Sequence, residues 1–259
     1  MTASNRVTLA VALTLVCTVS AAPAQDQFKV AIGQINNWEN QAPTLGQDVG
    51  IFKKHNLVLE NVGTSGAGET MQPVIAGSAH IGAGVGVAGV MRAFARGAPV
   101  RILAPMFTGT GDIYWYVRAD SPIKSLKDAT DKHTIAYSTS GSTSNNIVLA
   151  FVNDLGVKAK PTATGGPPGT FTAVMSGQVD IGWSAPPFGL QEERDGKIRI
   201  IGRGSDAKSL HGQTIRVLIV NADALKDIDG IMRDAVKLKF LDKPLTKEQL
   251  AEFIQIPPR

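Results

Sequence analysis

The chain has 259 residues, 43% of them hydrophobic and 19% charged, with a formal net charge of +4. That is room for one large or two modest globular domains, and it excludes a disordered chain. Lys and Arg are scattered along the sequence rather than massed in a stripe, which argues against nucleic acid as a partner.

Residues 1–24 read as an export signal: Arg6 supplies the positive end, Val7–Val19 the apolar stretch, and Ala22-Pro23-Ala24 the small-residue cleavage pattern. Cleavage is expected after Ala24, releasing a periplasmic protein. The apolar run is too short to span a bilayer. Cys17, the only cysteine, lies inside it, so the mature chain is expected to carry no disulfide, no thiolate metal site and no cysteine nucleophile. Val16 before it is bulkier than a lipoprotein signal requires.

From Gln27 the pattern alternates strand and helix. Phe28–Gln34 is a strand, Ala42–His55 a helix weakened at Gly50, and Asn56–Val62 the second strand. The loop 63–68 follows, GTSGAG. Met91–Arg96 reads as a helix, Val100–Met106 and Ile113–Arg118 as strands. After Ser121-Pro122 come a short helix Ser125–Asp131, a strand Thr134–Tyr137, and the polar run 138–144, STSGSTS. That run feeds a helix with the apolar stripe Ile147, Val148, Phe151 and Leu155, closed by Gly156. Val157–Ala163 is a strand, Leu190–Glu193 a helix, and Lys197–Ile201 and Ile215–Asn221 strands. Ile231–Phe240 and Lys247–Ile254 are expected helices, the second opened by a Thr246/Gln249 capping box with Leu245 and Leu250 as a hydrophobic staple.

One segment occurs twice. FTAVMSGQVDIGWSAPP at Phe171–Pro187 echoes MQPVIAGSAHIGAGV at Met71–Val85, offset by 100 residues. Thr70/Thr170, Val74/Val174, Gly77/Gly177, Ile81/Ile181 and Gly82/Gly182 coincide. Each copy is a short helix ending at a glycine, then a strand of x-Ile-Gly type. The spacing is too long for a solenoid and implies two α/β lobes of similar build. Alternating strands and helices predict open, mostly parallel sheets, whose ligands sit at the carboxyl ends of strands. The chain should cross between lobes near Gly111–Tyr114 and return near Gln213–Arg216. This divides it into lobe 1 (25–112 and 216–259) and lobe 2 (113–215).

The candidate ligand contacts are the polar loops at those strand ends. Ser140, Gly141, Ser142, Thr143 and Ser144 precede a helix, so hydroxyls and free backbone N–H groups gather at the positive end of its dipole. A single Ser would suffice for capping alone. Thr64, Ser65 and Gly66 repeat that logic on lobe 1, where the glycines could instead serve a tight turn, and Gly86 ends the next loop. Trp38 and Trp183 are placed to wall off an alkyl or aromatic ligand body, or else are core residues. Ser184 follows Trp183, and Asp112 sits at the first crossing, where it contacts ligand or holds the hinge. Pro186-Pro187 would stiffen the wall. Hydroxyls with two indoles favour a small organic anion such as a sulfonate or carboxylate. A neutral or cationic pyrimidine would instead call on Glu39, Glu69 or Asp112.

His55, His80, His133 and His211 are isolated, with no metal-ligand spacing, and no nucleophile elbow or Walker loop occurs. Gly82-Ala83-Gly84-Val85-Gly86 lacks the spacing of a dinucleotide loop. No cofactor and no metal is expected.

Residues Lys29–Ala222 resemble the substrate-binding proteins of ABC importers for nitrate, sulfonates, taurine and thiamine-pyrimidine-like precursors. The segments that carry the likeness are VGIFKKHNLVLE, SGAGETMQPVIAGSAHIGAGVG, SLKDATDKHTIAYSTSGSTSN and VMSGQVDIGWSAPP, with DGIMRDAVKLKFLDKPLTKEQLAEFIQIP near the C-terminus. The resemblance implies a type II periplasmic-binding-protein fold, monomeric, closing on a small molecule and presenting it to a membrane permease. Such proteins usually carry several more helices where this chain has only Leu225–Gly230. The same resemblance leaves two alternatives: an enzyme of the pyrimidine-precursor-synthase type, or a periplasmic sensor component.

Overall fold

A computed structural model describes residues 25–224, 236, 237, 239 and 241–249. The strands are β1 (Asp26–Gly33), β2 (Leu57–Thr64), β3 (Ile81–Gly86), β4 (Val100–Thr108), β5 (Tyr114–Arg118), β6 (Thr134–Tyr137), β7 (Lys160–Ala163), β8 (Gly182–Ser184), β9 (Ile198–Arg203) and β10 (Thr214–Asn221). The helices are α1 (Ala42–Asp48), α2 (Ile51–Lys54), α3 (Ala67–Ile75), α4 (Val87–Ala95), α5 (Thr143–Leu155), α6 (Pro167–Met175) and α7 (Leu190–Arg194).

The first lobe is built on a five-stranded sheet of order β2-β1-β3-β10-β4. β1 pairs in parallel with β2 and β3, and β10 runs antiparallel to both neighbours. The second lobe joins the antiparallel trio β8-β5-β9 to the parallel pair β6-β7. The seam is a parallel bridge between Ile135 and Ile181, flanked by Ala136 N–H to the Ile181 carbonyl at 2.7 Å. Its order is therefore β7-β6-β8-β5-β9, with β5 in the place of β10. Each sheet is parallel except for one strand, and that strand is the first after a crossing. The chain crosses within residues 109–113 and returns within 204–213, where Gly109 N–H donates to the Gln213 carbonyl at 2.9 Å.

The sequence echo is an echo in three dimensions. α3 leads through Gly77 (φ 75°) into β3, and α6 through Gly177 (φ 75°) into β8. Both glycines hold the left-handed conformation that ends a helix at little cost only for glycine. Thr70 and Thr170 each bond back to the carbonyl of Gly66 and Gly166, at 3.0 and 3.1 Å. Each also contacts a threonine six residues earlier, Thr64 or Thr164, at 2.6 Å. Gly82 lies against Ile219 of β10, Gly182 against Tyr116 of β5. A methyl on either would come within 2.7 or 2.6 Å of that side chain.

Several expected elements shift. Ala42–His55 is two helices, because Gly50 (φ 73°) breaks it in the left-handed region. The helix expected at Met91–Arg96 starts earlier, at Val87. Ser125–Asp131 shortens to a 3-10 turn, Leu126–Asp128, held by a reciprocal Ser125–Asp128 capping box. Val157–Ala163 pairs only from Lys160. The Thr246/Gln249 box is present, with reciprocal bonds of 3.0 and 3.2 Å. The helix expected over Ile231–Phe240, the remainder of Lys247–Ile254, and the signal segment lie outside the described residues. Among those described, no helix is long and apolar enough to cross a membrane.

Candidate functional site

The two sheets meet along the carboxyl ends of their parallel strands, where the open α/β rule places a ligand. A narrow, partly open space of about 20 Å3 lies there, lined by Gln34, Glu39, Ala67, Gly84, Ile113, Ser138, Ser142, Thr143, Ser144, Trp183 and Arg216. It holds about one water-sized sphere, so a larger ligand requires the lobes to part. Gln34 follows β1, Ser138 follows β6, Gly84 and Trp183 lie on β3 and β8, and Arg216 is on β10. The backbone topology thus gathers residues from both ends of the chain.

The second lobe contributes hydroxyls. Ser142 caps α5, its Oγ accepting Asn145 N–H at 3.1 Å. Ser144 Oγ lies 3.1 Å from both Ser142 Oγ and Ser138 Oγ and accepts Ser138 N–H at 2.9 Å. The N–H groups of Thr143 and Ser144, in the first helical turn, have no carbonyl one turn earlier within the helix to bond. The helix dipole adds positive potential at the same place. Thr143 Oγ1 bonds the Ile215 carbonyl at 3.3 Å, tying this helix start to β10.

The first lobe contributes charge. Arg216, its side chain 3% exposed, gives Nη2 to both Asp112 oxygens at 2.6 and 2.7 Å and Nη1 to Glu39 Oε1 at 2.9 Å. Its guanidinium lies over the Phe107 ring, 4.6 Å from the centroid. Asn37 Nδ2 donates to the same Glu39 Oε1 at 3.1 Å. Burial raises the Glu39 carboxyl above its ordinary pKa; Arg216 opposes that shift and Asp112 adds to it. Glu39 Oε2 and Arg216 Nε are buried without a partner among the described residues. Buried polar atoms of that kind are uncommon and call for an explanation.

Of the residues singled out from sequence, Ser142, Thr143, Ser144 and Trp183 line the narrow space, as does Glu39, which was named for a pyrimidine ligand. Trp183 is 2% exposed, and its indole N–H is held by the Gly165 carbonyl at 3.1 Å. Trp38 is elsewhere: it is 58% exposed and forms no part of the lining, while its backbone N–H reaches the Pro186 carbonyl at 2.9 Å. The Asn37–Asn40 turn points Glu39 inward and the indole outward. Thr64 and Ser65 line an outer groove of about 390 Å3 with Gln34, Glu69, Pro168 and Phe188. Gly66 lets the lobes approach, since a methyl there would meet Thr139 Oγ1 at 2.6 Å. Gly86 does the same against Thr143 N at 2.9 Å and lines a separate pocket of about 100 Å3. Gly141 (φ 81°) donates its N–H to Asn145, and Ser140 is exposed. Asp112 holds Arg216 rather than lining the space, and Ser184 Oγ donates to the Phe188 carbonyl at 3.1 Å.

Gln34, Ser138 and Arg216 were not singled out. Arg216 left a signal, as the one charge inside the apolar run Ile215–Asn221. Gln34, with φ 47°, gives Nε2 to the Ser65 carbonyl at 2.6 Å and bridges two strand ends. Among the described residues no group of three His, Cys, Asp or Glu side chains stands together as a metal site.

The sheet order and the strand-end space give the chain the two-lobe fold of the periplasmic-binding-protein type. The chain belongs to the NMT1/THI5-like family, whose model matches residues 38–234. Solved structures share the fold at low identity. The periplasmic aliphatic sulphonate binding protein SsuA from Escherichia coli is 19% identical with a TM-score of 0.59, the match covering 90% of this chain and 79% of that one. The alkanesulfonate-binding protein SsuA from Xanthomonas axonopodis pv. citri, bound to MOPS, is 16% identical with a TM-score of 0.62, over 92% and 82%. A protein from Bordetella bronchiseptica RB50 is 20% identical with a TM-score of 0.64, over 91% and 76%. No curated protein matches the chain in sequence.

Proposed function

We propose that this chain is the solute-binding component of an ABC importer, exported to the periplasm by residues 1–24 and monomeric. It captures a small organic anion between lobe 1 (25–112 and 216–259) and lobe 2 (113–215) and delivers it to the membrane permease. The observation that carries the reading is the first turn of α5, whose N–H groups and the hydroxyls of Ser142, Thr143 and Ser144 meet at the interlobe space. Family membership supports a binding role, and the sulfonate-binding neighbours support an anionic ligand. An enzyme on the same fold would need a nucleophile or an acid–base pair beside the substrate. The lining offers hydroxyls, an amide and one carboxylate, Glu39, paired with the guanidinium that Asp112 also holds, a set suited to holding a ligand.

The test is a thermal-shift screen of sulfonates, carboxylates, nitrate and pyrimidines. A micromolar ligand corresponds to about −8 kcal/mol and raises the melting point visibly when present at millimolar concentration. Small-angle scattering with the hit should show a smaller radius of gyration, since contacts from both lobes exist only when they close. Ser142→Ala with Thr143→Ala should weaken binding by about 1–3 kcal/mol. Unchanged affinity in that double variant would move the site away from α5.

A further inference from the structure

The polar run 138–144 of the second lobe rests on glycines of the first. Gly66 and Gly68 at the start of α3 meet Thr139, and Gly68 N–H donates to Thr139 Oγ1 at 3.3 Å. Gly86 and Gly89 at the start of α4 meet the backbone of 141–143. A methyl on Gly89 would come within 2.4 Å of the Gly141 carbonyl oxygen, and the next two nearest atoms also belong to Gly141. Glycine inside a helix costs about 1 kcal/mol relative to alanine, and Gly89 has a helical backbone that alanine would adopt as well. Its counterpart at the 100-residue offset, Gly189, differs on both counts. There φ is 81°, and the crowding atom is the hydroxyl of Tyr114, in the same lobe. Gly189 serves its own lobe, whereas the reason for glycine at 89 comes from the opposite one.

We infer that Gly89 is a positioning residue for the interlobe site, the seat on which Gly141 rests when the lobes come together. Gly89 lies outside the lining of the narrow space. Gly141 immediately precedes Ser142, Thr143 and Ser144, so seating it brings the first turn of α5 up to the first lobe. The seat also adjoins the return crossing, since Gly86, Val87, Ala88 and Met91 share a pocket with Gln213, Thr214 and Ile215. A wedge beside a pivot parts the far ends of the lobes by more than its own width. Any side chain at 89 therefore lowers the share of closed molecules, and the apparent affinity for ligand falls in proportion. The inference rests on the reading of the chain as a solute-binding protein. It places part of that protein's affinity in a contact between the lobes rather than in a contact with the solute.

Disulfide trapping tests the seat without any ligand. A Cβ on Gly68 would lie 3.9 Å from that of Thr139, within the span of a disulfide, so Gly68→Cys with Thr139→Cys can join only when the lobes are seated. The full chain with Cys17→Ser carries no other thiol. This pair should oxidise readily, and Gly89→Leu should slow it tenfold or more. Ala95→Leu, at the exposed end of the same helix, should leave the rate unchanged. Denaturant unfolding should find Gly89→Ala at least as stable as wild type, because alanine favours the helix. A glycine needed only within its own lobe would instead lose stability and keep the crosslinking rate. That pattern overturns the inference, as does an equal rate in the Gly89→Leu protein or a pair that never joins. Calorimetry with ethanesulfonate reads the consequence. Gly89→Ala should weaken its binding tenfold or more, and equal affinity overturns the link from seat to site. If the wild type binds none of ethanesulfonate, propionate or nitrate, the anion-binding reading falls, while crosslinking still decides the seat.

Discussion

The two lobes share a strand order but not a core. In the second, Tyr114, Trp115, Tyr116, Phe151 and Trp183 are buried in one continuous cluster with Ile135, Ile147 and Ile181. Trp115 meets Phe151 edge to face at 4.8 Å and gives its indole N–H to the Ala136 carbonyl at 2.9 Å. In the first, apolar packing is split by the sheet into two smaller clusters. One holds Val74, Val85, Val90 and Ile219 under α3 and α4. The other has only Val30, Ile32 and Ala83 fully buried. Around them Val62, Ile102 and Leu103 of the sheet, Leu45, Ile51, Met91 and Phe94 of the helices, and Val49 in the turn between α1 and α2 are exposed. Aromatic burial is therefore concentrated in the second lobe. Among the described residues the first carries most of the exposed large apolar side chains, so local opening is expected to be easiest there.

The largest expected effect tests that contrast directly. Trp115→Ala should cost about 3–5 kcal/mol in denaturant unfolding, while Leu103→Ala on β4 should stay within about 0.5 kcal/mol. A Leu103 variant that unfolds as readily as the Trp115 variant would mean that the first lobe's sheet is packed more fully than its exposure implies. Next in size is the threonine pair repeated at the 100-residue offset. Thr70→Val and Thr170→Val should each cost about 1 kcal/mol, as expected for one buried hydroxyl and its bonds. A clearly larger cost on one lobe would break the equivalence of the two modules.

The smallest effect is a pH slope. Glu39 has its pKa raised mainly by burial, so the folded protein holds its proton more tightly than the unfolded chain, whose value is near 4.5. That contribution is fully present below the unfolded pKa and is lost as pH rises through the higher folded one. Glu39→Gln should flatten stability over the window just above pH 4.5, while leaving the steep acid side, set by other carboxylates, in place. An unaltered slope would show that Arg216 neutralises Glu39 fully.

Local signals carried far in this chain. The repeated helix–glycine–strand module, the capped α5 and the Thr246/Gln249 box depend on neighbours a few residues away, and each was legible for that reason. Gly50 was marked as a weak point, but that it would adopt a left-handed turn and split a helix depends on φ, which composition does not state. The charged half of the site was harder to read. Arg216 and Asp112 lie 104 residues apart in sequence and meet only because β10 returns beside the first crossing. Trp38 shows the opposite case. A tryptophan at a strand end was placed at a cleft, but the 3-10 turn Trp38–Asn40 turned its neighbour inward instead.

The placement of β10 also sets an order of completion. The sheet of the second lobe draws only on residues 114–203, a contiguous stretch. The sheet of the first cannot close until residues 214–221 slot between β3 and β4, and those are made after everything else in either sheet. As the chain leaves the ribosome, or emerges from a translocation pore, β1 to β4 must wait as an unfinished sheet with an unfilled centre while the later-synthesised lobe assembles beside it. The lobe that begins first finishes last.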